Sequence, residues 1–278
     1  MTDRQAQPLT FETLQSRIRL RGQLVALTGL RIGAGRDTDV TGNDLPVMRD
    51  ASGRPFIPGS SLKGMLRAYI EAVLRGLSDD PEVQRRHLAC MVLRDADRCI
   101  PSAASESRPE THEINMKTWR DDLRANKISP EQLAQNVVQN SCMACQTFGS
   151  TWLASHIAIR DLLVQPALWF GQFEIRQGVS LERDTETAGQ GLLYSFETVP
   201  PGTRFMLEIE ADNLQDWQKG LLWLAVQPLL RGEVSLGGAR SRGLGQVELV
   251  GDAWSIWERD PDNRLDSLRK LLAEEQFV

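Results

Sequence analysis

RIRLRGQLVALTGL, residues 17–30, is the stretch from which the architecture follows. Ile18, Leu20, Leu24 and Ala26 alternate with polar or small residues, the period of a strand with one buried face. Outward from it, RIGAGRDTDVTGND (31–44) is a loop rich in Gly and Asp. SSLKGMLRAYIEAVLRG (60–76) then has helical periodicity, with Leu62, Leu66, Tyr69 and Val73 on one face and Ser60 or Ser61 as the expected cap. Strand patterns resume at HIAIRDLLV (156–164) and TRFMLEIEA (203–211), where Phe205, Leu207 and Ile209 alternate. DNLQDWQKGLLWLAVQPLLRG (212–232) predicts a second helix, capped by Asp212 or Asn213, kinked at Pro228 and stopped at Gly232. A glycine-rich turn, SLGGARSRGLG (235–245), leads to a last strand, QVELV (246–250), and NRLDSLRKLLAEEQF (263–277) predicts a short terminal helix. The order strand, helix, two strands, helix, strand predicts a βαββαβ, ferredoxin-like (RRM-like) α+β domain over residues 1–278.

The 278 residues suffice for a sizeable core, and the net charge of −5 excludes a uniformly basic nucleic-acid clamp while leaving room for a local basic patch. The first 17 residues show no signal-peptide core, and the longest apolar run, GLLWLAV (220–226), is far short of a membrane span, so a cytoplasmic protein is expected. In that reducing compartment four cysteines point to metal rather than disulfides. All four lie within residues 77–149, which interrupt the core pattern and read as an insertion. Cys142 and Cys145 form a CxxC that lets two thiolates grip one ion, and Cys90 and Cys99 complete a closed tetrahedral zinc set, with His87 as a possible substitute ligand; the alternative is buried, unpaired thiols or a redox pair at the CxxC. Such a structural site contributes about 10–16 kcal/mol of folding free energy.

Three further stretches suggest anion or RNA contacts. In LGGARSRGLG (236–245), Gly237, Gly238, Gly243 and Gly245 surround Arg240 and Arg242, so backbone N–H groups and two guanidinium forks can converge on a phosphate. The alternative is a plain glycine-rich hairpin. IPGSSLKGMLR (57–67) offers a helix N-terminus beside Ser60, Ser61, Lys63 and Arg67, a phosphate seat or an ordinary cap. RQGVSLERDTETAGQGLLYSFETVPPG (176–202) has strand-like ends around a polar tip and predicts a projecting hairpin. In GNDLPVMRD (42–50), Asp44 is either an Asx-turn former before Leu45-Pro46 or a carboxylate used in chemistry.

Taken in order, LRIGAGRDTDVTGNDLPVMRDASGRPFIPGSSLKGMLR, CMACQTFGS, GVSLERDTETAGQGLLY and LGGARSRGLGQVEL resemble the RAMP superfamily, in particular the repeated backbone subunit of type III CRISPR effector complexes. The likeness spans roughly residues 20–249. It implies a palm that binds the guide RNA (crRNA) backbone, with Ser60, Ser61, Lys63, Arg67, Gly237, Gly238, Arg240, Arg242 and Gly243 as contacts. It further implies a zinc-bearing finger over 77–149 and a thumb hairpin over 176–200, with Val179, Leu181 and Arg183, which wedges into the guide–target duplex. Asp44 falls where cleaving members carry their catalytic aspartate.

RNA supplies its own nucleophile, the 2′-OH, so holding it in line with the leaving 5′-oxygen removes much of the barrier. An Asp of ordinary pKa, ~3.9, is a weak base at neutral pH, which favours binding Mg²⁺ or Mn²⁺ or positioning the RNA over simple proton abstraction. Arg36, Asp37 and Asp39 share the loop as possible helpers. The expected activity is RNA-guided cleavage of target RNA beside neighbouring RAMP subunits. The alternatives are a non-catalytic crRNA-binding scaffold and a guide-processing nuclease. For RNA to meet both, the helix corner at 57–67 and the glycine-rich turn must converge on one ribose-phosphate track, with Asp44 beside the strand to be cut.

Overall fold

The computed structural model describes residues 13–33, 35, 45–106, 109–181, 188–259, 266 and 270. Its strands are β1 (Ser16–Ala26), β2 (Phe56–Ile57), β3 (Ile157–Ile159), β4 (Leu162–Leu163), β5 (Glu174–Leu181), β6 (Ala188–Thr198), β7 (Arg204–Asp212), β8 (Val234–Ser235) and β9 (Gln246–Glu258). Its helices are α1 (Gly59–Arg75), α2 (Pro81–Val83), α3 (Met116–Arg124), α4 (Pro130–Asn140), α5 (Met143–Phe148) and α6 (Asp216–Leu230). The terminal helix expected over 263–277 lies outside the described residues apart from 266 and 270. No described helix is long and apolar enough to cross a membrane.

The architecture is α+β. Five strands form an antiparallel sheet in the order β3-β7-β1-β9-β8, and two small ribbons stand apart from it, β2-β4 and β5-β6. Alternation does what the sequence predicts: Leu20, Leu24 and Ala26 of β1, with Phe205, Leu207 and Ile209 of β7, are buried. They share one core with Leu62, Leu66, Ile70 and Leu74 of α1 and with Leu222, Val226 and Leu229 of α6. Each such side chain contributes about 1.5–3 kcal/mol of burial free energy. The buried stripe of α1 therefore follows i, i+4, i+8, i+12; Tyr69 and Val73, expected on it, are only partly buried. Between Arg21 and Gln23 the β1–β9 register shifts, and Gly251 at φ +64° in β9 takes up the extra residue as a bulge.

The other face of the sheet is a ladder of ion pairs. Arg17 lies opposite Asp212, Arg19 opposite Glu210 and Arg21 opposite Glu208. The N···O distances are 2.7, 2.7 and 3.4 Å. Direct cross-strand pairing of opposite charges stabilises the sheet, so the guanidinium groups of Arg17, Arg19 and Arg21 are engaged by carboxylates.

Both expected helix caps are corrected. The N-cap position of α1 is Pro58, with no side-chain cap from Ser60 or Ser61; instead Gly59 N–H donates to Asp161 Oδ1 at 2.8 Å. The start of α6 is a capping box between Gln215 and Gln218. Asp212 ends β7 in its pair with Arg17, and Asn213, at φ +54°, accepts from the N–H groups of Gln15 and Ser16. The helix runs on through Pro228, two residues before its end.

Candidate metal centre and nucleic-acid interface

The segment from 77 to 149 contains α3, α4 and α5. These helices start by local chemistry: Asn115 caps α3, Ser129 and Gln132 form a capping box at α4 with Pro130 in its first turn, and Cys142 occupies the cap position of α5. Placing Cys142 just before α5 and Cys145 in its first turn brings both sulfurs to one side, facing Cys90 and Cys99. All four are buried and free, and their Sγ atoms lie within 4.8 Å of one another. Cys90 Sγ and Cys145 Sγ are 3.6 Å apart. A disulfide requires about 2.05 Å, whereas Zn–S bonds of about 2.3 Å place tetrahedral sulfurs about 3.8 Å apart. The donor set can therefore hold a metal such as zinc. His87 is exposed and is not part of the cluster. Hydrogen bonds from Cys142 and then Cys145 push the Cys90 and Cys99 thiols down, while hydrogen bonding to Cys145 and Cys90, together with burial, pushes Cys142 up. The backbone N–H of Cys90 donates to Cys142 Sγ at 3.4 Å.

Helix α1 presses a polar ladder against this cluster. Arg67 donates to Cys145 Sγ at 3.4 Å, to the Gly149 carbonyl at 2.9 Å and to Glu71 at 2.7 Å. Glu71, buried, also accepts from Arg75, whose guanidinium reaches the carbonyls of Ala89 and Cys90. The Arg67 guanidinium, expected at RNA, is thus turned to the cysteines. Lys63 Nζ donates to the Ile157 carbonyl at 2.9 Å, and burial together with the adjacent Arg67 charge lowers its pKa. Ser60 is exposed and Ser61 partly so, beside a helix N-terminus already capped by the Asp161 carboxylate.

A second convergence forms at the end of β1. Gly245 N–H donates to the Gly29 carbonyl and Gly238 N–H to the Arg31 carbonyl, each at 2.9 Å, which lays the glycine-rich turn on residues 29–31. The contact is close: a Cβ on Gly237, at φ +83°, would lie 2.2 Å from the Arg31 carbonyl oxygen. Arg240 and Arg242, exposed, sit in a 3-10 turn between Ala239 and Gly243, both left-handed. The Arg31 guanidinium packs against Gly33 and Gly238, and its Nε is buried with no hydrogen-bond partner.

Within the stretch read as a hairpin, β5 and β6 pair antiparallel, with Val179 opposite Leu193 and Leu181 opposite Ala188. Its root is tied to both neighbours. Arg242 donates to Tyr194 Oη. Leu30 pairs with Val199, Gly33 with Val47, and Leu45 with Phe196. Glu197 accepts from Val47 N–H at 3.2 Å and from Arg49 at 2.7 Å. Asp44, Arg36, Asp37, Asp39 and Arg183 lie outside the described residues, but the chain on both sides of the 34–44 segment is held at this root.

Of the expected RNA contacts, the structure gathers the glycine-rich turn, the hairpin root and the flanks of Asp44. The first turn of α1 is elsewhere: Gly59 packs against Ile159 and Arg160 at the β3 edge, while the turn joins β8 to β9 at the other edge. From β3 to β9 is three strand spacings, roughly 14 Å. The two elements are therefore not in one seat, and a chain touching both would have to cross the sheet. Arg31, Arg49, Asp161 and Glu197 were not singled out from sequence; only contacts distant along the chain reveal them.

A sequence model described as the RAMP superfamily matches residues 23–248. The chain is 25% identical over 246 residues to the "CRISPR system Cms endoribonuclease Csm3" of Methanocaldococcus jannaschii, covering 85% of this chain and 79% of that relative. It is likewise 25% identical to the protein of the same name from Methanothermobacter thermautotrophicus, over 82% of each chain. A third of that name, from Enterococcus italicus, is 48% identical over 59 residues, 20% of this chain and 28% of the relative.

Proposed function

We propose that this chain, which belongs to the RAMP superfamily, is an RNA-guided endoribonuclease subunit of a type III CRISPR effector complex. It binds the crRNA backbone, stacks beside other RAMP subunits and cleaves complementary target RNA, with Asp44 as the catalytic residue. The observation that carries this reading is the stitching of both flanks of the Asp44 segment to the root of the hairpin and, through Arg31, to the arginine-bearing glycine turn. The strand order β3-β7-β1-β9, with α1 after β1 and α6 after β7, supports a ferredoxin-like palm beneath that junction.

In this account Gly237, Gly238, Gly243, Arg240 and Arg242 hold guide phosphates without reading bases, since pairing supplies the sequence. Arg31 joins them. Ser60, Ser61 and Lys63 form a secondary contact at the β3 edge. The hairpin, as the thumb, splays one target nucleotide so that its 2′-hydroxyl lines up with the adjacent phosphorus. Attack closes a 2′,3′-cyclic phosphate and expels the 5′-oxygen, which takes up the proton. The Asp44 carboxylate orients the hydroxyl and accepts its hydrogen bond. A Mg²⁺ or Mn²⁺ ion, when bound there, would supply charge neutralisation. Zinc held by Cys90, Cys99, Cys142 and Cys145 serves folding, a closed set that leaves no position for substrate.

The test is cleavage by the assembled complex carrying Asp44→Ala. The cut opposite this subunit should slow by about 10²–10⁴-fold, with guide and target binding retained. Unchanged cleavage there would leave a crRNA-binding scaffold as the better description.

A further inference from the structure

Glu197 is a buried carboxylate, 7% exposed, at the foot of β6. It grips one short extended segment at three alternate residues. Its N–H donates to the Leu45 carbonyl at 3.1 Å, its Oε2 accepts from Val47 N–H at 3.2 Å, and its two oxygens accept from Arg49 Nη2 at 2.8 and 2.7 Å. Residues 45, 47 and 49 point the same way from an extended chain, so all three contacts define one register. Arg49 is fixed from its other side by the Phe173 ring, 4.0 Å from its centroid, and Trp169 packs edge-on against Phe173 at 5.1 Å.

Apolar contacts already close this junction: Leu30, Val47, Phe196 and Val199 are all buried here. An ion pair with one buried partner adds little net stability over apolar packing of the same volume, but it is directional. Sliding the 45–49 segment by one residue would turn Arg49 away and leave Glu197 unpaired. Asp44 is one peptide bond from Leu45, so whatever fixes Leu45 fixes the carboxylate's point of departure.

We propose that Glu197 is a positioning residue for RNA cleavage: it holds the 45–49 segment, to which Asp44 is joined by one peptide bond, in register against the root of the thumb hairpin. This rests on Asp44 acting as proposed above. Misplacement of a reacting group by about 1 Å costs on the order of 10²-fold, so the effect belongs in the chemical step.

The experiment uses the assembled, guide-bound complex and single-turnover cleavage at saturating target. Glu197→Gln, which keeps an acceptor for Val47 but loses the charge for Arg49, should slow the cut opposite this subunit by about 10- to 100-fold and leave target affinity unchanged. Arg49→Gln approaches the pair from its more exposed partner and should give the same loss, with no further loss when the two are combined. On an Asp44→Ala background, Glu197→Gln should change the residual rate by less than about twofold, because the two act through one group. Cleavage at the parental rate, loss of cleavage only in step with target binding, a full additional loss on the Asp44→Ala background, or failure of both single variants to assemble would each overturn the proposal. Parental cleavage by Asp44→Ala alone would instead overturn the catalytic reading on which it rests.

Discussion

Arg67 changes the meaning of its own neighbourhood. A sequence ending LKGMLR at a helix start suggests cations facing a phosphate, yet this guanidinium spends its donors on Cys145 Sγ, the Gly149 carbonyl and Glu71. Four thiolates around a divalent ion carry two net negative charges, and a partly buried arginine beside them offsets part of that. Outer residues of this kind typically alter metal affinity by about 10–100-fold. Arg67→Gln should therefore release zinc at correspondingly lower competing-chelator concentrations, with guide binding by the assembled complex little changed; unchanged zinc affinity with weakened guide binding would return Arg67 to the RNA. The four cysteines were legible because CxxC spacing has a direct geometric meaning. The role of Arg67 was not, since nothing local says that residue 145 folds back onto residue 67.

At the scale of elements, β3 joins the sheet through a histidine that sequence periodicity does not mark. His156 is buried, and its Nδ1 contacts the Asp212 carbonyl at 2.8 Å, which makes that nitrogen the donor. Burial lowers its pKa below the ordinary 6.5. In the folded chain the ring stays neutral while the unfolded chain takes up a proton, so stability falls as pH drops through the mid-6 range and levels off below the folded pKa. Urea unfolding at pH 7.5 and 5.5 should show less stability at 5.5, and His156→Gln should shrink that difference; an unaltered difference would assign the acid sensitivity to other groups. Alternation made β1 and β7 readable and the 3.6 period made α1 readable, whereas α6 was read from its flanking cap candidates and the stop at Gly232. The helix caps were not: Asp161 lies 102 residues from Gly59, and Gln215 is not among the strongly favoured cap residues. Two residues of β2 are too few to produce a period, so it was not separable from loop, and the one strand pattern read over 156–164 is two strands, β3 and β4, in different sheets.

For the whole molecule, the order of elements was readable from Gly, Pro and hydrophobic period, and the antiparallel order β3-β7-β1-β9 agrees with it. The relative placement of the two expected phosphate seats was not readable, because strand order fixes it: α1 begins at the β3 edge and the glycine turn at the β8–β9 edge. What the fold concentrates is the junction where β1 ends, the hairpin is rooted and the glycine turn folds over. A net charge of −5 fits such a plan, with Arg31, Arg240 and Arg242 at the junction and Arg17, Arg19 and Arg21 of the open sheet face paired with carboxylates. The most direct test is to map cleavage of a target RNA in which one nucleotide, the one facing this subunit's hairpin, lacks its 2′-hydroxyl. The account predicts that this single cut disappears while cuts opposite neighbouring subunits persist at their usual rates. A cut retained at the substituted position would mean that RNA's own hydroxyl is not the nucleophile here and would contradict it.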